Sequence, residues 1–119
     1  MDDELKKAFA ELQIKAVDTA QRVQQTENEI ETCRRAKQHA LLTERELSTL
    51  PEVTRTYESF GAFYLLEPLQ RVRESLLAKA EEKDEKIKSL EAHKEYLNKS
   101  VKEDEDNLRE LLMQKQGRT

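Results

Sequence analysis

Val53-Thr54-Arg55-Thr56-Tyr57-Glu58-Ser59-Phe60-Gly61-Ala62-Phe63-Tyr64-Leu65-Leu66 divides the chain, and its reading decides the fold. Val53 to Tyr57 alternates in polarity, which predicts a strand with two unlike faces. Gly61 supplies a tight turn. Ala62 to Leu66 predicts the returning strand, apolar on both faces. A solvent-facing edge strand does not have that composition, so another chain is expected to cover it.

Working outward, the segment is flanked by two ladders. The first runs through Leu5, Phe9, Leu12, Ala16, Thr19, Val23, Thr26, Ile30, Cys33, Lys37 and Ala40. The second runs through Leu69, Arg73, Leu76, Ala80, Lys83, Ile87, Leu90, Lys94, Leu97, Val101, Asp104, Leu108 and Leu111. Alternating steps of four and three residues form the seam of a coiled coil. The chain thus reads as mainly α, an antiparallel two-helix coiled coil with a single β-hairpin at the bend. Its expected parts are a helix over 3–42, a hairpin segment over 43–66 opened by a short helix, and a helix over 67–115. All belong to one domain spanning 1–119.

Local signals place the breaks. Asp2 or Asp3 suits a helix start. Thr43 and Glu46 form a T-x-x-E pattern, which predicts a fresh capping box and a short helix to about Leu50. Pro51 stops it, and Pro68 fits the first turn of the second long helix. One pairing register sets Leu5 opposite Leu108, Leu12 opposite Val101 and Val23 opposite Leu90. It also sets Thr19 against Lys94 and brings Glu27 near Asp84.

Composition narrows the function. Of 119 residues, 39% are charged and only two are Gly and two Pro, a long-helix composition. Such a seam buries a narrow stripe, and an isolated two-stranded hairpin is marginal in water, so partner chains are expected. The 25 acidic and 21 basic residues are well mixed and leave a net charge of −4, which argues against nucleic-acid binding. The longest fully apolar run, Ala62 to Leu66, is too short for a membrane span. The acidic start carries no signal-peptide pattern, and the lone Cys33 fits a reducing, cytoplasmic setting.

His39, His93 and Cys33 match no metal-ligand spacing, and no cofactor is expected. Cys33 on the seam reads as a small buried apolar residue. The many carboxylates read as solvated helix faces, with no pocket to tune them for catalysis. No enzymatic role is expected. At the free helix ends, Leu5, Phe9, Leu12, Leu108, Leu111, Leu112 and Met113 come together. They either close the end of the coil or form an apolar surface for soft contact with other chains.

Several segments carry a family resemblance. They are Glu4-Leu5-Lys6-Lys7-Ala8-Phe9 with Glu11-Leu12-Gln13, the Tyr57…Gly61…Phe63 hairpin, Tyr96-Leu97, Ser100-Val101-Lys102-Glu103, and Asp106-Asn107-Leu108-Arg109-Glu110. From about Glu4 to Leu112 the chain resembles prefoldin, in the β class with one hairpin. It departs from that pattern after Gly61, where no basic residue follows.

The resemblance implies a hetero-hexamer of α- and β-class subunits whose hairpins form a central double β-barrel. Val53, Tyr57, Phe60, Gly61, Phe63, Tyr64, Leu65 and Leu66 would be the oligomerisation residues. The coil tips would hold non-native actin and tubulin chains and pass them, without ATP, to the cytosolic group II chaperonin. A cytoplasmic location follows, with the nucleus left open. Two rivals stand beside it: a structural scaffold or tether, and a prefoldin-like nuclear assembly complex.

Overall fold

A computed structural model describes residues 2–117. In chain order, helix α1 (Asp3–Ser48) is followed by strands β1 (Thr56–Phe60) and β2 (Phe63–Glu67) and helix α2 (Leu69–Gln116). The fold is mainly helical, two long helices with one antiparallel hairpin between them, as the ladders predict. The chain forms two compact units: Met1–Glu29 with Ser89–Thr119, and Ile30–Lys88.

In the first unit, Asp2 caps α1: its Oδ1 accepts from the Glu4 amide at 2.8 Å, and its carbonyl accepts from the Lys6 amide. Leu5, Thr19, Thr26 and Leu97 are buried. Thr26 tolerates burial because its hydroxyl donates to the Arg22 carbonyl at 2.8 Å. In the second unit the buried set is Ile30, Cys33, Ala40, Leu69, Ala80 and Ile87. Every ladder position of α2 is buried or half-buried, and Phe9 is the one exposed position of the α1 ladder. The seam is thin; among the described residues no large side chain is fully sealed.

The T-x-x-E pattern does not start a new helix. α1 runs through Thr43 without a break to Ser48. Nothing before Pro51 interrupts helical backbone, Thr43 and Leu47 are half-buried, and Glu44 is tied to Arg73 of α2. The helix then unwinds, with amide bonds from Thr49 to Glu46 and from Leu50 to Leu47, and hydroxyl bonds from Ser48 and Thr49 to the Arg45 and Glu46 carbonyls.

The longer α1 moves the register by about one heptad. Lys94 faces Glu27 at 4.0 Å, not Thr19, and Asp84 faces Lys37 at 2.8 Å, not Glu27. Near the free ends, Leu12 lines common grooves with Leu108, and Leu5 shares one with Leu112. The expected pairing of Leu12 with Val101 is therefore replaced.

Val53 is not in a strand. It sits in a turn closed by the Thr54 amide on the Pro51 carbonyl at 3.0 Å, and it is 90% exposed. The physical reason lies opposite it. The last pair of the ladder is Thr56 with Glu67, and beyond it the opposite chain turns into α2 at Leu69, leaving no strand for Val53 to pair with. Pro68 stands just before α2 and lends its carbonyl to the Arg71 and Val72 amides. Ala62 likewise lies in the turn, and β2 extends instead to Glu67.

Candidate functional site

Two apolar surfaces stand out, one in each unit. The first lies where α1 begins and α2 ends. Lys115, in the last turn of α2, binds Asp2 and Glu4; its Nζ is 2.9 Å from Glu4 Oε2. Acidic groups at a helix start and a cation at a helix end also suit the helix dipoles. The bonds from Lys115 and from the Glu4 amide hold the Asp2 carboxyl below its ordinary value. The same carboxylates hold the Lys115 ammonium above its own.

The same unit carries two open grooves that share Leu12 and Leu108. One, about 360 Å³, is lined by Leu5, Phe9, Leu12, Leu108 and Leu112, with Glu105 and Arg109 at its rim. The other, about 390 Å³, is lined by Ala8, Leu12, Leu108 and Leu111, with the Lys15–Asp104 ion pair beside them. The seven expected tip residues separate into three groups. Leu5 is buried at 5% exposure and belongs to the seam. Leu12, Leu108, Leu111 and Leu112 are half-buried. Phe9 is 49% exposed, and Met113 is exposed but lines neither groove.

The second surface is the hairpin. Its register pairs Tyr57 with Leu66, Glu58 with Leu65, Ser59 with Tyr64 and Phe60 with Phe63. Two residues, Gly61 and Ala62, join the strands. Gly61 has φ 58°, and no other described residue has positive φ, the pattern of a II′ turn. Opposite residues share a face. One face therefore carries Thr56, Glu58, Phe60, Phe63, Leu65 and Glu67, and the other Tyr57, Ser59, Tyr64 and Leu66. All six large apolar hairpin side chains are more than half exposed; Leu65 is 52% exposed. Val53, although outside the strands, lines an open depression with Leu50 and Leu66 at the hairpin's root.

Sequence reasoning passed over Leu50, Glu58 and Glu67. The signal for the two carboxylates was present: a two-residue turn at Gly61 and alternation put them on one face. Cys33 is buried, and His93 stacks on Tyr96 with ring centroids 6.5 Å apart. Among the described residues no cluster of His, Cys, Asp and Glu is arranged to hold a metal ion, and no helix is long and apolar enough to cross a membrane.

Comparison with known proteins agrees with this geometry. Residues 10–115 match the family model described as Prefoldin subunit. The chain is 48% identical over 117 residues to Prefoldin subunit 1 of Danio rerio, covering 98% of this chain and 96% of the relative. It is 48% identical over 113 residues to the human Prefoldin subunit 1, covering 95% and 93%. It is 36% identical to that of Arabidopsis thaliana over 116 residues, covering 98% and 91%. Its fold matches the crystal structure of the prefoldin beta subunit from Thermococcus strain KS-1 with a TM-score of 0.75 at 17% identity, covering 93% and 94%. With its two-helix, one-hairpin architecture and these matches along nearly its whole length, the chain belongs to the prefoldin family.

Proposed function

We propose that this chain is a β-class subunit of a hetero-hexameric, ATP-independent co-chaperone in the cytoplasm. Its hairpin joins those of α- and β-class partners. Its helix ends hold non-native polypeptides of the actin and tubulin type for transfer to the group II chaperonin. The observation that carries this reading is the exposure of the whole apolar hairpin, Tyr57 to Leu66, in a single chain of this family. Burying one such side chain contributes roughly 1.5–3 kcal/mol, so hexamer formation has a large driving force available.

Client holding is assigned to Phe9, Met113 and the two shallow grooves. Each offers weak contact, and several stalks gripping one unfolded chain add through effective concentration. Flexible Met113 suits varied clients. Holding requires binding alone, so no catalytic turnover is assigned to the chain.

Reconstitution with the partner subunits tests both parts. Leu65→Lys is expected to block hexamer formation with helicity retained. Phe9→Ser with Met113→Ser is expected to leave the hexamer intact and weaken suppression of actin aggregation in part. Leu5 is left unchanged because its burial would confuse a contact effect with a folding effect. A normal hexamer carrying Leu65→Lys sinks the assembly assignment. Full suppression by the double serine variant sinks the client assignment.

A further inference from the structure

The hairpin's two faces differ in charge. Glu58 and Glu67 lie on the face of Phe60, Phe63 and Leu65, diagonal to one another across the strands. From Thr56 to Glu67 there is no Lys, Arg or His. Protonated Glu58 donates a hydrogen bond to the Glu67 carboxylate, and that neighbour's charge opposes its ionisation, so the Glu58 carboxyl is raised above its ordinary value. The two acids thus crowd each other on an apolar surface, and nothing in the hairpin offsets them.

A second copy of this hairpin laid on that face would bring four carboxylates together and supply no cation. A strand carrying Lys or Arg at the matching positions would instead find two acceptors beside three apolar anchors. We propose that this face selects the hairpin of a different chain, one bearing a cation opposite Glu58 and Glu67, and that the acidic pair disfavours self-pairing. This rests on the hairpin's proposed role in assembly and adds what it selects. Like charges set face to face disfavour the wrong partner, and opposite charges fix the register of the right one.

The test needs only the full chain and its charge-reversed form. Glu58→Lys with Glu67→Lys is the probe, mixed with the unaltered chain and followed by native mass spectrometry and sedimentation. The mixture is expected to associate at least about tenfold more tightly than either chain alone, and the gain is expected to fade in high salt. Leu65→Ser in the unaltered chain, on the same face, is expected to remove the gain. Glu58→Gln with Glu67→Gln is expected to self-associate more than the unaltered chain.

A mixture no tighter than its components overturns the proposal. So does equal association of all charge forms; if Leu65→Lys still blocks the hexamer, the subunit assignment then survives without the charge selection. A hexamer indifferent to Leu65→Lys removes both.

Discussion

Arg73 donates from Nε to Glu44 Oε1 at 3.0 Å, joining α2's second turn to a part of α1 that the sequence pattern assigns to a separate short helix. The Glu44 side chain is only 15% exposed, so this pair is better shielded than the other cross-helix ion pairs. A double-mutant cycle with Glu44→Gln and Arg73→Gln, read by chemical denaturation, is expected to give a coupling of about 1 kcal/mol. The looser Lys94–Glu27 pair is expected to give a smaller one.

Thr43 distinguishes a continuous helix from a capped one. If it were an N-cap, Thr43→Ala would cost about 1 kcal/mol. Within an uninterrupted α1 the same change is expected to be neutral or slightly stabilising, because alanine has the higher helix propensity. Thermal melts of the two proteins separate these outcomes.

Gly61 tests the turn. A Cβ there meets nothing within 4 Å, so any cost comes from the backbone and not from a clash. With φ at 58°, Gly61→Ala is expected to cost about 1 kcal/mol, and Gly61→Asn less. Both are expected to weaken assembly in that order, measured by the fraction of hexamer in native mass spectra.

The ion pairs along the helices and at their ends set a pH window. Asp2 is lowered below the ordinary value of 3.8 by Lys115 and the Glu4 amide, and Asp84 by Lys37 and Lys88. A lowered carboxylate contributes stability that is present above its unfolded value and lost as pH falls through the folded one. Lys115 is raised above 10.5, so its contribution is present below that value and lost as pH rises through the folded one. Helicity of the full chain is therefore expected to be insensitive to these pairs from about pH 5 to 10. Lys115→Met is expected to flatten the alkaline fall and to shift the acid one, since Asp2 loses its partner.

Much was legible in the sequence because coiled-coil order is local. The seam from Leu5 to Ala40 and from Leu69 to Leu111 follows from heptad spacing, and the turn at Gly61 follows from glycine's freedom at positive φ. Exposure of Tyr57, Phe63 and Leu65 follows from there being too little chain to cover them. What the tertiary structure decided was register. Thr43 has the chemistry of a cap, yet its helix continues and Glu44, next along it, pairs with Arg73 of α2. Val53 has the pattern of a strand, yet it has no partner because the chain opposite turns into α2 directly after Pro68. Leu12 lies beside Leu108, not Val101, in step with the shifted Lys94–Glu27 and Lys37–Asp84 pairs. A periodic pattern says which side of a helix is buried; which rung meets which depends on where the chain turns, and that is settled by contacts between residues distant in sequence.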